Sequence, residues 1–498
     1  MGVGRALFAG RFGAVLAGLS LSALGAQAEP TASQIIERHL EARGGDKRLR
    51  AVKDTRLRGT VNGSGEFLWA TRAPSAFYLE VRSGEGPATF AFNGRAAWRG
   101  DAQDGVRTMT GAEQASARAI AIFRNRGFVD YKKDKTRVNR LGRDTVDGRS
   151  AYVVEVITTA GVRRKVFFDA QTFLISKEES PGDGGTEEIL FSEYGTVDGM
   201  PEPGRIVIRR PGGETVDLAV QEAAHDVGVD AAMFDFPRQE GAPFPKFTVL
   251  FAEVLRNQEA LATARENYAF TQTDTEIDTD SRGRVKEKRE RTYEVFFMEG
   301  GAIRTLVAVN GHPLSDEEAR EERERVTKVI REREERIPKA AEKKAGSDDP
   351  SLAHILRVCR FVNPRRERFR GRDALVYEFE PSPDEKAHGR VESWVQKLQG
   401  TVWIDEAAKG ILRAEVRTTD SIKVVGGLLI SFKPGASFVF EQELVNGETW
   451  LPTYTEVNAA ARLLLVKGLE FRRWERFTDY KKFKVDAAGV AGDPAAAR

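Results

Sequence analysis

Beyond residue 53 the chain alternates. The run TRLRGTVNGSGEFLWATRAPSAFYLEVR carries an apolar residue at about every second position, and Asn-Gly, Gly-Ser-Gly and Ala-Pro punctuate it. A period of two is what a strand with one buried face requires, and these small or rigid residues supply turns, so antiparallel strands and hairpins are expected. Helical spacing precedes the alternation. Thr31 to Ala42 brings Ile35, Ile36, His39 and Leu40 to one face, and Gly44-Gly45 ends the segment. A second helix is expected over Gly111 to Phe123. Strands resume from Ser150 to about Val220, and the segment closes at Phe234-Asp235-Phe236-Pro237.

A short linker begins at Gly241-Ala242-Pro243, and the same order starts again. Phe251 to Ala264 has a helical period, whereas YAFTQTDTEI and RTYEVFFM have a strand period. Between Asp316 and Lys344, 20 of 29 residues are charged, with pairs such as Glu321/Arg325, Glu324/Lys328 and Glu332/Arg336 four apart and the acid first, the favourable order on a helix. Val326, Val329, Ile330 and Ile337 form only a thin apolar stripe. The pattern predicts a solvated helix lying over its domain, the alternative being a helix that holds a partner.

Landmarks register the two halves. Asn93-Gly94 matches Asn310-Gly311, an offset of 217, and Gly148-Arg149-Ser150-Ala151 matches Gly371-Arg372-Asp373-Ala374, an offset of 223. VFFDAQTFLISK matches VWIDEAAKGILR, with Asp169 and Asp405 separated by 236, and Val197-Asp198-Gly199 matches Val445-Asn446-Gly447, separated by 248. The offset only grows, as loop insertions in a second copy would make it. The expected division is residues 29–240 and 241–486, flanked by a leader at 1–28 and a disordered tail at 487–498.

Composition narrows the class. Arg5 and Arg11 precede the apolar stretch FGAVLAGLSLSALGA, which ends in Ala26-Gln27-Ala28, the layout of a cleavable secretory signal peptide. The 77 Lys and Arg then fall to 75, equal to the 75 Asp and Glu, and a chain of zero net charge lacks the basic excess that nucleic-acid binding needs. Cys359 is the single cysteine and cannot form an internal disulfide, so it reads as a small apolar core residue.

Catalytic patterns are absent: no nucleotide-binding glycine run, Cys pair, H-E-x-x-H or serine elbow occurs, and His39, His225, His312, His354 and His388 are scattered. No cofactor and no metal are called for. Asp278-Thr279-Asp280-Ser281-Arg282-Gly283 fails as a calcium loop, because Arg282 and Arg289 stand where oxygen ligands are required. Asp169 and Asp405 end apolar strands, where an Asp starts a turn by accepting backbone amides two residues on.

Apolar surface remains. Phe67, Trp69, Phe77, Leu79, Phe90, Phe92 and Trp98 in the first half, and Phe270, Phe296, Trp403, Phe438 and Phe440 in the second, recur at strand alternation. They are either an ordinary core or the lining of an apolar cavity enclosed by a curved sheet, with the helices at Ser33–Ala42 and Gly111–Phe123 as plug or lid.

Together these elements resemble a known family. EARGG followed by AVKDTRLRG, then FNGRAAW, DGRSAYVVEV, VFFDAQTFLISKEE, YGTVDGMPEPGRIVI and the closing VDAAMFDFP resemble LolA/LolB-type outer-membrane lipoprotein-sorting and carrier proteins. The likeness covers residues 31–238, and more weakly 244–486 through VNG, GRDALVYEF, VWIDEAAKGILRAE and VNGETWLPTYTEV. It implies an α+β, mainly β, fold: two tandem open, strongly curved antiparallel half-barrels, each with helices on the concave face. It also implies non-catalytic binding of lipid or lipoprotein acyl chains in the periplasm, with peripheral or transient membrane contact. The dedicated carrier has one such domain, whereas this chain has two. Related domains occur in an envelope regulator that senses lipid or lipoprotein and binds a partner protein, which is the alternative function. No ligand residue of the family maps by motif, so the twelve cavity candidates rest on alternation.

Overall fold

A computed structural model describes residues 29–482, apart from residues 85, 103–104, 183, 240, 280–284, 299–300, 341–357, 427 and 464–468. The expected leader and C-terminal tail, and the last four residues of the charged segment, lie outside the described residues.

Two large antiparallel sheets dominate, and neither closes on itself. In the first, the neighbours run Ala76–Ser83, Gly65–Arg72, Asp54–Val61, Thr215–His225, Arg205–Arg209, Gly185–Ser192, Ile175–Gly182, Arg163–Asp169, Arg149–Ile157 and Arg137–Val146. In the second they run Gly301–Val309, Val285–Met298, Tyr268–Thr279, Leu469–Lys482, Thr449–Leu463, Ser437–Val445, Ile411–Thr418, Leu398–Asp405, Arg372–Pro381 and Cys359–Phe369. The order is the same across ten strands. The hairpin turns coincide too: Asp147-Gly148 and Arg370-Gly371 both carry positive φ, as do Asp198-Gly199 and Asn446-Gly447. Paired positive φ values give the turn a twist that matches the strands it joins.

Asp169 and Asp405 make the turns expected of them. Asp169 Oδ1 accepts the amides of Gln171 at 3.0 Å and Thr172 at 2.8 Å, and Asp405 Oδ1 accepts those of Ala407 at 3.1 Å and Ala408 at 2.6 Å. In both turns the fourth residue after the Asp, Phe173 or Lys409, has positive φ and returns its amide to the Asp carbonyl.

Two longer helices lie on the inner face of the first sheet. Helix α1 (Ala32–Ala42) starts at a capping box between Thr31 and Gln34, and buries Ile35 and Ile36 against Val154, Val156, Val166 and Phe168. The short α2 (Asp46–Ala51) follows, with Leu49 buried. Helix α3 (Gly111–Arg126) lays Ala117 and Ala121 on Trp69, Phe77 and Phe92. On the second sheet α4 (Phe247–Ala264) buries Leu250 and Val254 against Leu375, Tyr377, Val402 and Ile404.

The charged segment forms α5 (Asp316–Ala340), and its charges have a structural use. Glu322 Oε1 accepts the Leu306 amide at 2.7 Å, and Arg325 Nη2 donates to the Arg304 carbonyl at 2.6 Å. Leu306 and Arg304 belong to Gly301–Val309, which lies next to the edge of the sheet. The helix therefore satisfies strand backbone that would otherwise invite a foreign strand.

The second sheet turns the face opposite α4 to the first half, which meets it with the Asn93–Arg95 turn, Thr108 and the start of α3. Arg365 is almost wholly buried there: its guanidinium donates to Thr108 Oγ1 at 2.9 Å, Glu367 at 2.8 Å and Glu378 at 2.9 Å, and lies over the Phe236 ring. Glu378 also accepts from Arg95 at 2.9 Å and Asn93 at 3.2 Å of the first half. At the start of α3, the Gly111 amide donates to Glu415 Oε1 at 2.8 Å. Burial alone would raise the Glu378 carboxyl, but Arg365 and Arg95 hold it below the ordinary carboxylate value.

Candidate binding site

The strand pairings decide which way each candidate side chain faces. Phe67 opposes Val81, Trp69 opposes Leu79, Leu79 opposes Phe90, and Phe77 opposes Phe92. Directly opposed residues share a face. Six of the seven first-half candidates therefore stand together on the inner face under α3, as one packed cluster that includes Leu57, Phe191 and Ile206. Trp98 opposes Ala91 and lies on the other face, where it packs on Phe236 and donates Nε1–H to the Phe234 carbonyl at 2.9 Å.

The second-half candidates divide. Phe438 and Phe440 oppose Val416 and Ala414, which leads across the sheet to Val402 on the α4 face. Phe270 stands on that face with Phe477 and Tyr480 around it. Phe438 is 41% exposed. Trp403 is fully buried on the opposite face with Val376 and Trp450, and Phe296 opposes Ile303 on that face too.

A cavity of about 80 Å³ lies between the inner face of the first sheet and helices α1 to α3. Trp69 is the one candidate that lines it; Leu57, Phe123, Phe128, Val166, Phe191 and Ile206 are among the other residues of the apolar wall. The wall also carries charges. Arg124 of α3 clamps Glu178 through two hydrogen bonds of 2.7 Å, and its guanidinium lies 4.8 Å from the Phe191 ring centre. Arg164 Nη2 stands 2.9 Å from Glu178 Oε2. On the α1 side, Arg43 reaches Glu202 at 2.9 Å and His225 Nε2 reaches the same oxygen at 3.2 Å.

Arg164 is the exceptional member. It opposes Val156 on the inner face, its side chain is 3% exposed, and none of its three guanidinium nitrogens makes an aligned hydrogen bond among the described residues. A buried cation short of acceptors is costly, and burial pulls its ionisation below the ordinary arginine value with Glu178 offsetting that only in part. Burial would raise the Glu178 and Glu202 carboxyls, but the arginines beside them hold both below the usual range. His225 is raised, first by its hydrogen bond to Glu202. His39 is pushed down to about 3 by burial and by the charge of Arg43, so it is neutral, with Nδ1–H donating to the Phe173 carbonyl at 2.9 Å.

None of these charged residues stood among the twelve candidates. The signal was present in the alternation itself. RRKVFFD puts Arg164 in register with Val166 and Phe168, and ISKEESPG puts Glu178 opposite Val166 on the same face. A charge at a core-facing strand position is the mark of a buried polar site.

Among the described residues, no group of three or more His, Cys, Asp or Glu could hold a metal ion. No helix of the described residues is long and apolar enough to cross a membrane. Cys359 is buried, and burial pushes its thiol up to about 11.

With the sheet order, the covering helices and the cavity established, the chain can be set beside solved structures. Its structural neighbours include proteins of the LolA superfamily. One such protein, from Nitrosomonas europaea, aligns at TM-score 0.28 and 14% identity over 42% of this chain and 99% of its own. A DUF1329 family protein from Desulfovibrio piger aligns at 0.26 and 14% over 41% and 97%. An outer membrane lipoprotein-sorting protein domain from Vibrio parahaemolyticus aligns at 0.23 and 14% over 39% and 95%. No family model and no curated protein matches the sequence.

Proposed function

We propose that this chain is an envelope binding protein that holds a lipid, or the acyl chain of a lipoprotein, between the inner face of the first sheet and helices α1 and α3. The observation that carries the reading is the contact between α3 and the aromatic wall. The helix meets Trp69, Phe77 and Phe92 with the small side chains of Ala117 and Ala121, and Ile120 packs beside them only partly buried. An alanine contributes little apolar area, and at ~25 cal/mol per Å² these two positions add little to what the polar tethers at the ends of α3 supply. Lifting it would expose a continuous surface of Phe, Trp, Leu and Ile. Acyl chains suit such a surface, because each buried methylene contributes ~0.8 kcal/mol without needing a polar contact. The leader expected at residues 1–28 would deliver the protein to the periplasm, where such cargo must cross water. The second sheet would provide a like surface under α4 around Phe270, Phe438 and Phe440.

The test is mass spectrometry on protein purified gently without detergent. Co-purifying lipid or lipoprotein is expected, with loss of loading in Ala117→Trp, which wedges α3 from the wall. Repeated preparations, including lipid-supplemented ones, that carry no amphiphile would end this reading.

A further inference from the structure

We infer that the cavity recognises an anionic head group, a carboxylate or a phosphate ester on an apolar chain, with Arg164 as its receptor. This rests on the amphiphile reading above and makes it specific. Three guanidinium groups face the space, those of Arg43, Arg124 and Arg164, against two carboxylates, Glu178 and Glu202. Arg124 and Arg43 are each committed to one of those carboxylates by a hydrogen bond of 2.9 Å or less. Arg164 is left with an ion-pair contact to an oxygen Arg124 already occupies, and its Nε and Nη1 are without acceptors. A guanidinium offers a planar fork of donors matched to a carboxylate or phosphate, and here the fork is desolvated and aimed into an open space.

Size supports the assignment. About 80 Å³ takes on the order of six waters, enough for a head group, and falls well below the ~300–1,000 Å³ of a pocket that encloses a whole ligand. The tail would therefore leave the cavity under α3, along Trp69, Phe191 and Ile206, and displace the helix as it enters. His39 is neutral and Tyr194 gives its hydroxyl to the Ile175 carbonyl at 2.7 Å, so neither supplies a competing charge.

The experiment uses delipidated full-length protein preloaded with a neutral fluorescent dye, displaced by palmitate, hexadecyl phosphate or hexadecanol. These share a chain length and differ in the head. At least one anion is expected to displace the dye at a concentration about ten- to a hundredfold lower than the alcohol, the worth of hydrogen bonds to a charged group. The stronger of the two anions identifies the source as a fatty acid or a lipid phosphate. In Arg164→Gln the advantage of the anion over the alcohol, measured within the variant, should be lost, and Arg164→Lys should recover part of it. Equal displacement by anions and alcohol in the unaltered protein overturns this inference and leaves the amphiphile reading standing. Displacement by none of the three overturns both. The comparison of heads needs no variant, so the preference for an anion is decided even where Arg164→Gln fails to fold, and the more conservative Arg164→Lys then tests the arginine: an undiminished preference there overturns its role.

Discussion

Glu178 answers two buried arginines at once. Arg124 grips both of its oxygens from the helix above at 2.7 Å, and Arg164 stands 2.9 Å away on the neighbouring strand. Glu178→Gln would take from two buried guanidinium groups the carboxylate they share. Removing one partner from a buried ion pair costs about 3–5 kcal/mol, and a loss of that order is expected in the urea unfolding midpoint. A change within 1 kcal/mol would show that the cluster is open to water.

His39 makes stability depend on pH. Its folded pKa of about 3 lies below the unfolded value near 6.5, so its contribution is complete above ~6.5 and is lost as pH falls toward 3, because only the unfolded chain takes the proton. At ~1.4 kcal/mol per unit the loss reaches several kcal/mol. His39→Phe keeps the edge contacts with Phe128 and Phe168 and removes the titration. Its unfolding midpoints should fall less steeply than those of the parent across this window; parallel curves would refute the assignment.

The contact between the sheets is open to a similar test. Glu378→Gln weakens the acceptor shared by Arg365, Arg95, Asn93 and Asn363. Calorimetry should then resolve two transitions where the parent shows one.

On α5, Glu322→Ala with Arg325→Ala uncovers the Leu306 amide and the Arg304 carbonyl. The stability cost should be small, about 1 kcal/mol per hydrogen bond. The larger effect is association, read by light scattering as concentration-dependent growth, since a bared strand pairs with other chains.

Asp169→Asn keeps an acceptor for the Gln171 and Thr172 amides. It should cost about 1 kcal/mol or less and leave dye binding untouched.

Much of the fold was legible because its signals are local. Alternation located the strands, and the turns at Asp147-Gly148, Asp169 and Asp198-Gly199 fall where Arg370-Gly371, Asp405 and Asn446-Gly447 do, since a turn dictates backbone geometry within four residues; Asn93-Gly94 and Asn310-Gly311 do not correspond, because the first follows Gly86–Phe92 and the second follows the counterpart of Ala76–Ser83. Helix bounds moved by a few residues: α4 begins at Phe247 rather than Phe251, and α3 runs on to Arg126. The site was less legible. Alternation gathered six residues that share the inner face, of which Trp69 lines the cavity, yet it could not distinguish that face from the one holding Trp98. Partners such as Arg124 and Glu178 come from a helix and a strand 54 residues apart. Their meeting is a property of the folded chain, not of any segment.

The hydrogen bond from the Gly111 amide to Glu415 bears on how α3 can move. The first turn of the covering helix is pinned to the second half of the molecule, whereas its last turn is held by the Arg124–Glu178 clamp inside the first. A helix fixed in this way is a lever whose fulcrum lies outside the compartment it covers. Under the proposed function, cargo that lifted the Arg126 end would act on that pivot, so that occupancy beneath α3 would be felt in the second half.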